Sequence, residues 1–130
     1  MKYKILIVLA KFYKDLSKNL IFGAKEKLKG KANIKIIEVP GSFEIPVVIS
    51  KNIKKYDGFV ALGSIIKGET PHFDFISHST TYAIMQLSIN SKKPIGNGII
   101  TTLNKKQAKI RSLTKGQEAA SAVLSVLDNF

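Results

Sequence analysis

The chain contains no cysteine, and only one of its 21 basic residues, Arg111, is an arginine. The lack of cysteine excludes disulfides, thiolate metal sites and cysteine nucleophiles. No apolar run approaches the length that spans a bilayer. The apolar run near the N-terminus, Ile5 to Ala10, is too short for a secretory signal before it meets Lys11. These absences favour a cytoplasmic protein without a membrane partner.

The excess of positive charge, +12 with only 9 acidic residues, raises nucleic acid as a partner. However, the lysines are scattered along the chain. The densest cluster, Lys25 to Lys31, contains no aromatic residue that could stack on a base. We therefore interpret the lysines as a solvated surface that can attract small anions, and expect no nucleic-acid partner.

Strand-like and helix-like patterns alternate along the 130 residues, which suffice for one domain with a core. The predicted strands are almost wholly apolar or β-branched, as in a parallel sheet buried on both faces, and cover 4–10, 34–39, 58–64 and 95–101. Apolar stripes predict five helices, over 16–28, 45–49, 73–87, 107–111 and 119–126. Gly30 would end the first of these helices, Ser42 would be the N-cap of the second, and the third would end before Pro94. The alternation predicts a three-layer α/β/α sandwich with a central four-stranded parallel sheet.

The segment Gly63–Phe73 follows a predicted strand and precedes a predicted helix. Thr70 is a candidate helix cap and Pro71 suits the first helical position, so free amides and glycines meet at a helix start that suits a phosphate. His72 falls in the first turn, where an imidazole can accept and return a proton. From these residues alone, a capping or surface histidine is the slightly favoured alternative.

Two further features lie near the predicted strand ends. In Pro40–Pro46, the residues around Gly41 and Ser42 can bind a polar ligand or simply connect a strand to a helix, and the pattern favours neither. Arg111 can bind a phosphate with two hydrogen bonds or lie on a helix surface.

His72 and His78 do not share a helical face, so no metal site is expected. The dinucleotide fingerprint and the phosphate-binding P-loop are absent from the sequence.

Taken together, these motifs resemble those of the 6,7-dimethyl-8-ribityllumazine synthases of riboflavin biosynthesis, over residues 5–127. The strongest matches are 39–46 and 62–73, supported by 94–102, 104–108 and 115–120. The resemblance implies one flavodoxin-like domain over 1–130. It also implies condensation of 5-amino-6-(D-ribitylamino)uracil with 3,4-dihydroxy-2-butanone 4-phosphate, with release of phosphate and water and without a metal or organic cofactor.

The resemblance also assigns roles to individual residues. His72 would transfer protons, and Phe12 would stack on the pyrimidine. The other expected substrate-binding residues are Ser42, Phe43 and Glu44 for the ribityl chain and pyrimidine edge, Ile65 and Ile66 for the pyrimidine pocket, Gly68, Glu69 and Thr70 for the phosphate, and Asn97, Arg111, Lys115 and Glu118 from a neighbouring chain. The site would therefore lie between subunits of a homo-oligomer.

Three features depart from the family pattern. The first strand is followed by Lys11-Phe12-Tyr13, where many members have Arg-Phe-Asn, so the stacking role is open between Phe12 and Tyr13. Asn97 replaces a common aromatic residue, and the segment from Arg111 to Lys115 is shorter than in many members. In the larger shells of the family, the chain begins with extra residues that add a strand to a neighbour's sheet. Because the first predicted strand here begins close to Met1, the resemblance implies a homopentamer, with two stacked pentamers as the alternative, rather than a sixty-subunit shell. The alternative function is a weak or inactive homologue that binds flavin-like ligands or forms a shell.

Overall fold

The computed structural model describes residues 2–130, which form alternating strands and helices. In chain order the elements are β1 (Tyr3–Ala10), α1 (Lys14–Leu28), β2 (Ala32–Val39), a 3₁₀ turn (Ser42–Glu44), α2 (Ile45–Lys51), β3 (Gly58–Ile66), α3 (His72–Ser91), β4 (Ile95–Thr102) and α4 (Lys105–Asn129). All four predicted strands are confirmed, each one or two residues longer than predicted. No helix among the described residues is long and apolar enough to cross a membrane.

The four strands form one parallel sheet in the order β2-β1-β3-β4. Strand β1, one of the two inner strands, pairs on one side with β2, where Ile7 lies opposite Ile36, and on the other with β3, where Ile7 lies opposite Val60. Every side chain from Ile5 to Ala10 is buried, as the unbroken apolar run predicts. The carboxyl ends of β1, β2 and β3 consequently lie side by side.

Helices cover both faces of the sheet, which confirms the flavodoxin-like three-layer prediction. On one face α1 and α4 enclose a core that includes Leu20, Leu28 and Val123. On the other face α2 and α3 enclose a second core that includes Ile45 and Ile84. Side chains of β1 alternate between the two cores, because successive residues of a strand point to opposite faces.

The prediction of two separate helices over 107–111 and 119–126 is wrong, because α4 is continuous from Lys105 to Asn129. Gly116, which lies between the two predicted helices, is buried within α4. A Cβ atom at this position would collide with the backbone carbonyl of Leu20 in α1. Gly116 therefore permits a close helix crossing and does not end the helix.

The starts of the helices also differ in detail from the prediction. Helix α3 begins at His72, with Pro71 in the N-cap position, and the Thr70 hydroxyl accepts a hydrogen bond from the His72 N–H at 3.3 Å. Ser42 is not an N-cap, since its hydroxyl makes no hydrogen bond with any residue that the structure describes. Instead, the Glu44 carboxylate accepts the Gly41 N–H at 3.0 Å and holds the turn before α2.

Candidate active site

A cavity of about 320 Å³ opens at the carboxyl ends of β1, β2 and β3. We call it the aromatic cavity; it is lined by Phe12, Tyr13, Gly41, Ser42, Phe43, Ser64, Ile65, Ile66, His72 and Ile76. Ligands of open parallel sheets bind at this edge. The aromatic cavity thus brings together six of the residues predicted to bind substrate or transfer protons: Phe12, Ser42, Phe43, Ile65, Ile66 and His72.

One wall of the aromatic cavity is the turn between β1 and α1. The Ser17 hydroxyl lies 2.8 Å from the Ala10 carbonyl oxygen and 2.9 Å from that of Tyr13, and the Lys11 N–H donates to the Val39 carbonyl at 3.0 Å. The backbone of the turn is therefore fixed at both ends. Nevertheless, the Phe12 ring at its tip is 73% exposed, which leaves a flat apolar face free for a ligand.

Two serine hydroxyls of this cavity are buried without a hydrogen-bond partner in residues 2–130: those of Ser42 and Ser64. Ser42 follows β2, and Ser64 lies near the end of β3. Buried polar groups in native proteins are nearly always paired, so an unpaired hydroxyl in a cavity suits a polar ligand or a bound water.

His72 lines the same cavity from the first turn of α3. Its backbone N–H is bound to Thr70, whereas its side chain is exposed and available to a ligand. The preceding residues Gly68, Glu69 and Thr70 form an exposed loop that connects β3 to α3. The Lys67 N–H donates to the Thr102 carbonyl at 2.9 Å and anchors this loop to β4.

Glu44 lies beside the aromatic cavity rather than in its wall. With Phe43, Val47 and Thr80 it lines an apolar groove of about 510 Å³ between α2 and α3. Its carboxylate already accepts the Gly41 N–H. A carboxylate has further acceptor positions, so a ligand can still bind to Glu44 from the side of the groove.

A separate pocket, of about 210 Å³, lies where the end of β4 meets α4. We call it the cationic pocket; it is lined by Ile99, Ile100, Thr101, Arg111, Thr114, Lys115 and Glu118. Arg111, Lys115 and Glu118 follow one another at spacings of four and three along α4, which places them on one helical face. A guanidinium and an ammonium group on one face of a pocket suit a phosphate.

The aromatic cavity and the cationic pocket share no lining residue within the described chain. Arg111 belongs to α4, and His72 belongs to α3 on the opposite face of the sheet. One chain therefore does not bring the predicted phosphate-binding arginine to the predicted proton-transfer histidine. Most of the predicted residues therefore fall into two separate groups on one chain.

Asn97 lies in neither pocket. It is exposed on β4, an edge strand, and its side-chain oxygen accepts the Ile99 N–H at 3.1 Å.

The sequence analysis did not identify Ser64 and Thr114 as pocket residues. Ser64 could have been identified because it ends a predicted strand. Thr114 could have been identified because it follows Arg111 by three residues and so lies on the same helical face.

Comparisons with known proteins identify the family. The family model for 6,7-dimethyl-8-ribityllumazine synthase matches residues 2–130. A 6,7-dimethyl-8-ribityllumazine synthase of Agrobacterium fabrum is 42% identical over 139 aligned residues, covering 98% of this chain and 94% of the relative. Relatives of the same name from Bartonella henselae (44% identical, 97% of this chain and 87% of the relative) and Leuconostoc mesenteroides (42%, 96% and 85%) also match. The chain therefore belongs to the 6,7-dimethyl-8-ribityllumazine synthase family.

Proposed function

We propose that this protein performs the condensation of its family at active sites that form between two copies of the chain. The reaction joins 5-amino-6-(D-ribitylamino)uracil to 3,4-dihydroxy-2-butanone 4-phosphate and yields 6,7-dimethyl-8-ribityllumazine, phosphate and water in riboflavin biosynthesis. The single observation that carries the shared site is the separation of the aromatic cavity from the cationic pocket. In this arrangement the aromatic cavity and the cationic pocket are two half-sites, and each chain offers one of them to each of its two neighbours.

Exposed apolar side chains beside both half-sites support this arrangement. Phe43, in the wall of the aromatic cavity, and Val47, in the adjoining groove, are 60% and 57% exposed. Ile110 and Leu113, which flank Arg111 on α4, are both 63% exposed. Burial of one such side chain contributes about 1.5–3 kcal/mol. Contact between these two borders of neighbouring copies would remove them from water and bring Arg111 towards His72.

The proposed roles of the individual residues are those that the family resemblance implies. Phe12 stacks on the pyrimidine, Ile65 and Ile66 line its pocket, and Ser42, Phe43 and Glu44 bind its edge and the ribityl chain. The loop residues Gly68, Glu69 and Thr70 hold the phosphate on one side. From the neighbouring copy, Arg111 and Lys115 offset the phosphate charge, and Asn97 and Glu118 complete the wall.

The reaction itself needs positioning and modest proton transfer. The substrate amine attacks the ketone, water leaves to give an imine, phosphate is eliminated, and ring closure releases a second water. Holding both reactants in place supplies roughly 7–11 kcal/mol in favourable cases, whereas one general acid–base group adds about 10²–10⁴-fold. His72 is the group that takes and returns protons here, and none of these steps requires a metal or organic cofactor.

Subunit complementation tests the shared site. His72→Ala removes the aromatic half-site's proton carrier, and Arg111→Ala removes the cationic half-site's arginine, so each variant alone should be nearly inactive at low substrate concentration. After the two variants are co-expressed in equal amounts, random assembly gives intact sites at roughly a quarter of the interfaces. We expect lumazine formation to recover to about that fraction of the wild-type rate.

The control is each variant co-expressed with itself under a different affinity tag, which should recover nothing. Mixed oligomers are verified by sequential purification on both tags. Verified mixed oligomers without recovered activity would contradict the shared site, and a wild-type protein that forms no lumazine from the two substrates would contradict the enzymatic function. Light scattering of the active wild type should give the mass of a homopentamer, and a monomeric active enzyme would also reject the shared site.

The remaining proposals concern context. We propose a single domain acting in the cytoplasm on two small molecules, one of them a sugar phosphate, with no nucleic-acid or membrane partner. The excess of lysines supports attraction of the anionic substrate to the protein surface.

A further inference from the structure

The turn that presents Phe12 has a second aromatic residue, Tyr13, which the family pattern does not provide. Their ring centroids lie 4.9 Å apart, with the planes at 83° in an edge-to-face arrangement. Tyr13 is partly buried, whereas Phe12 is 73% exposed. Because the exposed Phe12 ring has few other neighbours to restrict its rotation, Tyr13 is the side chain best placed to set its orientation.

Tyr13 also contacts a residue that lies far from it in the sequence. The Lys105 ammonium nitrogen, in the first residue of α4, lies 5.6 Å from the centroid of the Tyr13 ring. The same nitrogen lies 3.6 Å from a carboxylate oxygen of Asp15, in the first turn of α1. An exposed ion pair of this kind is weak, but it keeps the ammonium group above the ring, within reach of a cation–π interaction.

The backbone adds to this restraint. The Tyr13 carbonyl oxygen accepts the Ser17 N–H at 2.9 Å, and the Ser17 hydroxyl oxygen lies 2.9 Å from the same carbonyl. A narrow space beneath both rings, lined by Ala10, Ser17 and Ser64, has no room for a water molecule. Tyr13 is thus fixed by its backbone, by Lys105 and by close packing beneath its ring.

We propose that Tyr13 is a positioning residue that holds the Phe12 ring in the orientation needed to stack on the pyrimidine substrate, and that Lys105 steadies Tyr13 in this role. The inference rests on the proposed function. It assigns to Tyr13 an effect on the pyrimidine alone, since the butanone phosphate is bound by other residues. In this proposal Tyr13 acts through Phe12 and does not replace it as the ring that stacks on the pyrimidine.

Steady-state kinetics of four variants test this proposal. We expect Tyr13→Ala to raise KM for the pyrimidine about 2- to 10-fold, the range of an aromatic pair, with KM for the butanone phosphate unchanged. Tyr13→Phe keeps the ring and should retain the wild-type KM. Lys105→Met should raise the same KM by a smaller factor, whereas the matched control Lys106→Met removes a neighbouring charge and should have no effect.

A double-mutant cycle distinguishes positioning from direct contact. If Tyr13 acts through Phe12, Tyr13→Ala causes no additional rise in KM once Phe12→Ala is present. Additive effects would overturn the proposal, because Tyr13 would then touch the substrate itself. Equal rises in KM for both substrates, or none, would also overturn it. A wild type that turns over both substrates establishes the proposed function independently, so its failure is distinguishable from a failure of the role of Tyr13.

Discussion

The hydroxyl of Ser42 lies directly over the α-carbon of Gly63. A Cβ atom added to Gly63 would come within 2.5 Å of the Ser42 oxygen and within 3.1 Å of the Ala10 Cβ. The ends of β1 and β3 and the turn after β2 therefore meet at a point with no space for a side chain. Ser42, on one side of this contact, also lines the aromatic cavity.

Replacing Gly63 by alanine should disturb both stability and binding. Overpacking of this kind costs about 1–3 kcal/mol, and the displaced Ser42 should raise KM for the pyrimidine. Urea unfolding and steady-state kinetics measure the two effects. Gly68→Ala is the stability control, since nothing lies within 4 Å of a Cβ atom there. An unchanged midpoint and KM for Gly63→Ala would disprove the tight contact.

The His72→Ala variant should fold normally and turn over more slowly. The side chain of His72 is exposed, so its loss removes no core packing. We expect kcat to fall by up to about 10²–10⁴-fold, the range of one general acid–base group, because positioning carries most of the rate. His78→Ala, on the same helix, is the control. Wild-type kcat at saturating substrates would exclude His72 from proton transfer.

Arg111→Ala should act mainly on one substrate. Loss of a charge-assisted hydrogen bond costs about 1.5–3 kcal/mol, or about 10- to 150-fold in KM for the butanone phosphate. Lys109→Ala removes a nearby exposed charge on α4 and should leave that KM unchanged. Arg111→Lys should lie between alanine and wild type, because lysine keeps the charge without the paired geometry. Equal weakening of both substrates would contradict this role.

Gly116→Ala should destabilise the protein even though alanine favours helices. In an isolated helix the exchange stabilises by roughly 0.5–1 kcal/mol. Here the new methyl group would collide with the Leu20 carbonyl, and the required separation of α1 from α4 should cost more than that gain, about 1–3 kcal/mol net. Chemical denaturation measures the difference, with the exposed Gln117→Ala as control. A more stable Gly116→Ala variant would show that the crossing has room.

Stability at alkaline pH should depend on Tyr3. Its hydroxyl donates to the Asp128 carboxylate at 2.6 Å, and this hydrogen bond, with desolvation and the nearby charges of Asp128 and Asp57, raises the pKa of Tyr3 above its ordinary value. A raised pKa in the folded state means that the contribution to stability is complete below the unfolded pKa, about 10, and is lost as the pH rises through the folded pKa. Tyr3→Phe should therefore be less stable than wild type near pH 8, and the two should converge at strongly alkaline pH. A constant difference across this range would contradict the linkage.

The sequence predicts the inner strands of the sheet well because β1 and β3 are buried on both faces. The same expectation is wrong for the edge strand β2, whose side chains between Ala32 and Val39 are exposed or only partly buried. The run from Ile5 to Ala10 has no polar residue to suggest another structure, and it forms one of the two inner strands. The continuity of α4 could not be predicted, because Gly116 has the same sequence signal at a helix end and at a close helix crossing. Only its packing against Leu20 decides between the two.

The candidate site is predictable in part for a similar reason. Motifs at strand ends identify Ser42 and His72, since topology alone brings those ends together. The separation of Arg111 from His72 depends on which face of the sheet each helix covers, which the local sequence does not encode. Likewise, the contact between Tyr13 and Lys105 joins the starts of two helices that are distant in the chain.

The hydrogen bond from Tyr3 to Asp128 joins residues 125 positions apart, at the edge of the sheet opposite the aromatic cavity. The beginning of β1 and the end of α4 are therefore neighbours in space. A short glycine-rich linker could connect them, and new termini could be opened in the exposed turn at Lys54 and Lys55 after α2, near the same edge. Such a circular permutant would keep every strand end at the site in place, so its kinetics would separate what the order of the chain contributes from what the fold contributes.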